Sequence, residues 1–250
     1  ATWEIIAHEL PVAKSETSRG RKQTVELREV VNSIFYGRRS GCAWELLPHD
    51  FPPAKTMYGY FRKWQKQGVW QRIHDNLRAN VRQQEGRNPE PTGAIIDSQS
   101  VKTTEIGGAE RGFDGGKKVK GRKRHILVDI LGLVLVVLVH AANISDVTAG
   151  RMLLAESSLS VPTLQKVWAD RGDRGQRLQQ VADGCELHLE VVERSQKSFE
   201  VEPRRWVVER TLGWLGRQRH LSKDYEGLPE VSETVVHIVM ISLMLNRLVA

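Results

Sequence analysis

Three carboxylates in this 250-residue chain stand where a charged side chain needs a physical reason. Asp97 ends the apolar run Ala94-Ile95-Ile96, and Asp170 ends Val167-Trp168-Ala169. Each therefore falls at a strand end, where a carboxylate is costly unless a cation or several donors compensate. In an open sheet such positions border the crevice that receives ligands. Glu209 lies in the segment Arg204 to Arg217, whose Val208, Leu212 and Leu215 make one apolar stripe at helical spacing. Arg205, Glu209, Gly213 and Gly216 make another, at spacings of four, four and three. Each glycine costs a helix about 1 kcal/mol relative to alanine, which is tolerated where something such as a DNA strand must approach the backbone. Taken singly, each aspartate also reads as a turn or helix-cap residue, and Arg205 with Glu209 as an ordinary surface pair. Taken together, they suit hard, oxygen-seeking Mg2+. Two such ions about 3.5–4 Å apart can drive an in-line phosphoryl displacement. Zinc is disfavoured, since Cys42 and Cys185 have no ligand spacing. Ser98 and Ser100 flank Asp97 without the glycines of a nucleophile elbow.

The elements that must position these residues change character near residue 90. Upstream, Val25, Leu27, Val30, Val31, Ile34 and Phe35 recur at helical spacing. A second helix is expected over Thr56–Gln67, and a third after Gly68 with Trp70, Ile73, Leu77 and Val81 on one face. The segment from Gln83 to Thr92 reads as a linker, giving a helical unit over 1–90 and a catalytic unit over 91–250. Downstream, strands are expected at Ala94–Ile96, Arg124–Ile130, Leu133–His140, Gln165–Ala169 and Leu187–Val192. A helix runs over Asp146–Ser157, and two more close the chain over Pro203–Arg219 and Glu230–Leu248. The order implies an α/β fold with a mixed sheet flanked by helices, preceded by a small helical domain. The last helix is apolar nearly all round, so it belongs in a core or a subunit interface.

Charge points to a polyanionic partner. The formal net charge is +7 and the pI about 9.5, a balance that attracts phosphate. Seven lysines and arginines, four glycines and one acid, Asp114, occupy Arg111 to Arg124. Such a stretch reads as a flexible loop following a phosphate backbone, with Lys102, Lys117, Lys118, Lys120, Arg122, Lys123 and Arg124 as DNA contacts. Arg205 and Arg217 join them from the helix that carries Glu209. Arg38, Arg39, Arg62, Lys63 and Lys66, with Trp64 and Trp70, give the upstream helices a second candidate DNA surface, with a helix-turn-helix as one candidate arrangement. His125 and His140 read as structural or phosphate-contacting. Two cysteines outside any framework fit a reducing compartment. The start of the chain lacks the pattern of a signal peptide, so a cytoplasmic location is expected, with no membrane partner.

Longer motifs carry a resemblance. Asp97-Ser98-Gln99-Ser100-Val101-Lys102-Thr103-Thr104 and Gly116 through His125 resemble the bacterial Asp-Asp-Glu (DDE) transposases of insertion-sequence family five. So do Arg204 through Thr211, Leu221 through Glu226, Gly41-Cys42-Ala43-Trp44 and Leu46 through Pro53. The resemblance implies a ribonuclease-H-like catalytic fold and a triad of Asp97, Asp170 and Glu209 holding Mg2+, with Mn2+ as a substitute. It also implies cleavage of terminal inverted repeats, joining to target double-stranded DNA, a homodimer when bound to DNA, and association with the nucleoid. Two departures accompany it. In the Tyr-x2-Arg-x3-Glu-x6-Lys signature of related transposases, Arg205 and Glu209 match, but Glu202 and Gly216 occupy the outer positions. Asp173 replaces an aromatic residue after the second aspartate. These departures leave two alternatives: a transposase-derived DNA-binding protein without catalysis, or a nuclease of the same fold.

Overall fold

The structure, a computed structural model, describes residues 2–11, 25–105, 107–170, 176–192 and 205–249. The upstream helices are α1 (Thr2–Ala7), α2 (Leu27–Ser40), α3 (Ala54–Lys66) and α4 (Val69–Gln84). The expected helices match α2, α3 and α4 to within a few residues; α1 was not foreseen, being one turn and a half with a single buried residue, Ile6. Proline at 52 and 53 forbids a helical residue just before it and so starts α3. Gly68, left-handed at φ 65°, makes the tight corner into α4.

The strands are β1 (Gly93–Lys102), β2 (Gly112–Asp114), β3 (Val119–Asp129), β4 (Val134–Ala141), β5 (Lys166–Ala169) and β6 (His188–Val191). Interleaved and following are α5 (Asp146–Ser160), α6 (Gln176–Gly184), α7 (Arg205–Gly216) and α8 (Pro229–Val249). Antiparallel β3 lies along one edge of β1, parallel β5 along the other, and β6 continues in parallel beyond β5. The outer edge of β3 is taken by β4 and, at its start, by the short β2. The mixed sheet flanked by helices is therefore as expected.

Two departures concern the basic stretch. The first strand is longer than the apolar run before Asp97, and Val119–Arg124 is not a loop but the first half of β3. Pattern reading misses this because the segment is charged. It is strand because Gly121, Arg122, Lys123 and Arg124 pair with Lys102, Val101, Ser100 and Gln99, and because the side chains find buried partners.

Alternation along β1 divides the core. Ala94 and Ile96 face a cluster with Leu153, Leu154 and Leu178 of α5 and α6, while Ile95 faces a cluster with α4, α7 and α8. That second cluster also contains Ile34, Phe61, Trp64 and Trp70, so one continuous core runs across the change of pattern near residue 90. Trp64 and Trp70 are about 1% exposed and stack edge-to-face at 5.4 Å. They are core residues, not a DNA-facing aromatic pair. The central helix α8 is long and apolar enough to cross a membrane, but 67% of its most apolar window is buried inside the protein, as the packing of α4 and β4 against it requires.

On α8 sits one carboxylate with an unusual setting. Glu233 accepts the Val139 N–H at 2.8 Å. Burial, then the neighbouring charges of Glu230, Glu156 and Glu110, outweigh that bond and raise its pKa from 4.5 to about 7. A folded-state pKa above the unfolded one means that the folded chain takes up a proton, so stability falls as pH rises from about 4.5 to about 7. Glu233→Gln keeps the acceptor and removes the charge. Its melting temperature should exceed that of the wild type above pH 7 and converge with it near pH 4.5; parallel curves across that range would assign the effect elsewhere.

Candidate active site

Asp97 and Asp170 meet through the sheet itself. In the parallel pairing of β1 with β5, Ala94 is opposite Val167 and Ile95 opposite Trp168. Continued by two residues, the same register sets Asp97 opposite Asp170, which directly follows the last residue of β5. Adjacent strands are about 4.8 Å apart, so the two backbones present their carboxylates side by side. Parity settles the face. Asp97 shares that of Ile95, and Asp170 that of Trp168; both are the face covered by α7, whose Val207, Val208 and Leu215 lie in the same cluster. Both aspartates are half-buried, and Asp97 Oδ1 accepts the Ser98 N–H at 2.7 Å.

Glu209 follows those two buried valines and is itself exposed. Its helix α7 packs against β1 and β3. Beyond it, Gly213 and Gly216 leave open space: an added Cβ would meet nothing within 4 Å at either. The side chain of Arg205, at the first position of α7, and residue Asp173 lie outside the described residues. The two aspartates thus share a sheet face, Glu209 lies on the helix that packs over it, and all three offer the oxygen donors that suit a hard divalent ion. Among the described residues, no three His, Cys, Asp or Glu side chains close into a metal-holding group, so the alignment is one of backbone position and face.

What holds α7 in place is the hairpin turn between β3 and β4. Asp129, fully buried, accepts the N–H groups of Leu131 at 2.9 Å and Leu133 at 2.8 Å. Its second oxygen is paired with the Arg82 guanidinium from α4. The turn so fixed presents the Gly132 carbonyl to the Thr211 hydroxyl at 2.8 Å and the Leu131 carbonyl to Arg210 at 3.0 Å. Arg210 in turn stacks between Trp206 and Trp214, at 4.3 and 4.6 Å from their ring centres. Sequence reading finds the turn but not this docking, because Arg82, Asp129 and Thr211 are 47 and 82 residues apart along the chain.

The basic stretch divides into two kinds of residue. Lys102, Lys117, Lys118 and Lys120 are exposed, as is Arg217 at the end of α7. Lys117 donates to the Ser98 carbonyl at 2.9 Å, one residue from Asp97. Arg122, Lys123 and Arg124 are instead buried, at 0%, 4% and 1% exposure. Arg122 donates to the carbonyls of Glu110, Gly107, Glu226 and Gly227 and pairs with Asp224 at 3.3 Å. Arg124 donates to the carbonyls of Leu221 and Lys223, and burial lowers its pKa to about 10. These two arginines bind the loop between α7 and α8 to the sheet. Placing all three as DNA contacts is therefore corrected: their charge is spent on protein partners, and phosphate does not reach them.

Lys123 belongs to a polar cluster on the opposite sheet face. It lies 2.9 Å from Asp146 and 3.3 Å from Asp114. His125 reaches Asp146 at 3.3 Å and His140 at 2.9 Å. Bonds from His125 and Lys123 hold the Asp146 carboxyl far below the usual range, while burial pushes His140 down. Bonds from Ser100, Lys117 N–H and Lys123 outweigh burial at Asp114 and bring it to about 2. The cluster ties the start of α5 to the strand that carries Asp97. Upstream, Arg38 is likewise occupied, paired with Glu226 at 2.9 Å and close to His220 at 2.6 Å.

A sheet of antiparallel strands continued by parallel ones, with helices on both faces, is the architecture of a ribonuclease-H-like fold. Comparison with known proteins narrows this. Residues 88–245 match the family model described as "Transposase DDE domain", and residues 1–74 match one described as "Putative transposase of IS4/5 family". The chain belongs to the DDE transposase family. It is also 29% identical over 109 residues to "Insertion element IS402 uncharacterized 16.2 kDa protein" of Burkholderia cepacia, a match covering 42% of this chain and 72% of that protein. Its substrate class is accordingly DNA, and its chemistry that of a metal-dependent nuclease and transferase.

The docking of α7 is open to test at Gly132, which is left-handed at φ 80° and whose added Cβ would come within 2.7 Å of Thr211 Oγ1. Gly132→Ala should cost about 1–2 kcal/mol from the backbone alone, plus the displaced Thr211 bond. Thermal melting should show the loss, and DNA cleavage at a temperature where the variant stays folded should fall further than that of Gly184→Ala, whose added Cβ meets nothing within 4 Å. Equal cleavage by the two would mean that the turn does not set the helix that carries Glu209.

Proposed function

We propose that the chain cleaves the ends of an insertion sequence and joins them to target DNA, with Asp97, Asp170 and Glu209 as metal ligands and catalytic residues. The observation that carries this reading is the β1–β5 register, which sets two aspartates side by side on the face that α7 covers. An oxygen-only donor set favours Mg2+, with Mn2+ able to replace it. When bound, such ions activate an attacking oxygen and stabilise the leaving one. The chain's own residues do the rest. The open backbone at Gly213 and Gly216 lets a DNA strand lie close to Glu209. Lys102, Lys117, Lys118 and Lys120, with Arg205 and Arg217 of α7, neutralise its phosphates. The terminal inverted repeats and the target duplex are the two DNA partners, bound by a homodimer in the bacterial cytoplasm and nucleoid. The upstream helices offer Arg39, Lys63 and Lys66 as exposed cations toward the same DNA.

Strand transfer with a labelled terminal repeat separates this reading from its two alternatives, since joining, cutting alone and binding alone are distinct products. Asp97→Ala, Asp170→Ala and Glu209→Ala should each reduce cleavage at least a thousandfold while leaving the melting temperature and DNA affinity nearly unchanged. Activity within tenfold of wild type in any of them removes that residue from the site. Asp173→Tyr should stay active beside an inactive Asp170→Asn; the reverse would move the second acid by three positions.

Replacing Lys117, Lys118 and Lys120 by glutamine should weaken duplex binding alike for all sequences. The log–log salt slope should become shallower by roughly 0.9 for each phosphate contact removed. An unchanged slope would move the phosphate footprint away from this turn.

A further inference from the structure

Two cavities away from the carboxylates meet in one groove. The first, about 420 Å3, lies between α7 and α8 and is lined by Trp214, Arg217, Asn246 and Arg247 among others. The second, about 290 Å3, lies between α2 and α8 and includes Tyr36 and Arg39. Gln218, Val239 and Ser242 line both, so a continuous channel leads from the upstream helices to the end of α7. Among the described residues, no acid lines either cavity.

The walls of this channel are built for a particular ligand. Arg39 and Arg217 are exposed cations at its two ends. Arg247 is stacked on the Trp214 indole at 4.7 Å, and Trp214 on Arg210 in turn, so both groups are held in place before any ligand arrives. Tyr36 is 44% exposed. Cations alternating with aromatic faces in a groove are the features that bind an unpaired nucleic-acid strand, phosphates on the cations and bases on the rings. A duplex keeps its bases stacked inside and cannot place one on Tyr36. The channel also begins close to the carboxylates. Glu209, Gly213, Gly216 and Arg217 follow one another along α7, and the rise from Glu209 to Arg217 is about 12 Å.

We propose that this channel holds an unpaired DNA strand running from the cleavage site toward the upstream helices. Its phosphates lie against Arg217, Arg247 and Arg39, with Arg247 held in place by Trp214, and a base lies on Tyr36. Assigning the strand to the cleaved end rests on the transposase mechanism proposed above; the preference for unpaired DNA does not.

The test is fluorescence anisotropy of the full chain, in the absence of divalent metal, with a labelled fifteen-nucleotide oligo-thymidine and with a duplex of equal length. Arg39→Gln/Arg217→Gln/Arg247→Gln should weaken single-strand binding at least tenfold and flatten its salt slope by about 0.7 per arginine. Duplex binding, which the proposed function also routes through Arg39 and Arg217, should fall by less than single-strand binding does. Asn246→Glu, which adds a carboxylate at an exposed position and disturbs no packed side chain, should act in the same direction. Tyr36→Leu should weaken single-strand binding about fivefold with little change in salt slope. Circular dichroism and melting temperature identify any variant that fails to fold, and the remaining variants then decide. Unchanged single-strand affinity in the folded variants, or an equal loss on the duplex, overturns the proposal. The two readings fail separately. A chain that binds single strands through these residues but shows no metal-dependent cleavage removes the mechanism and keeps the channel. One that cleaves while its single-strand affinity ignores the channel variants does the reverse.

Discussion

The parallel pairing of β1 and β5 is the constraint on which the site depends. Side chains alternate across a sheet, so slipping one strand by a single residue would turn Asp97 or Asp170 to the opposite face. The slip is resisted by apolar burial on both faces at once. Ala94, Ile96, Val167 and Ala169 pack toward α5 and α6, while Ile95 and Trp168 pack toward α7 and α8. A one-residue shift would exchange these two sets and send an aspartate into the α5–α6 core. The acids are therefore positioned by the apolar residues that precede them.

A second chain of contacts fixes the helix above the sheet. It runs from Arg82 on α4 through buried Asp129 to the turn at Gly132, and from there to Thr211 and Arg210 on α7. A fully buried carboxylate is tolerated only when its charge is paired and its remaining lone pairs are bonded. Here one oxygen takes the arginine and the other takes two backbone N–H groups. An upstream helix is thus linked through this turn to the helix bearing Glu209.

Much of this was legible in the chain. The periodicity of α2 to α4, the apolar runs before Asp97 and Asp170, and the helix around Glu209 all follow from local pattern, as does the mixed sheet. Pattern fails where charge is buried. Arg122 and Arg124 read as surface cations because their partners are mostly backbone carbonyls from residues 107 to 227, and a carbonyl has no signature in sequence. For the same reason Val119–Arg124 reads as loop although it is strand. Trp64 and Trp70 read as available to a ligand because a core shared between α3, α4 and α8 joins residues as far apart as Met57 and Leu245.

That shared core has a consequence for how such a protein can change. Helix α8, last in the chain, is packed on α4 and α2, and Arg38 closes the same seam through Glu226. Among the described residues, the upstream helices and α8 thus share one core, and exchanging the upstream helices would mean rebuilding the packing around α8. Change in what the upstream helices present to a partner is confined to the exposed faces of α2 and α3, while their buried faces remain answerable to residues that begin some ninety positions into the chain.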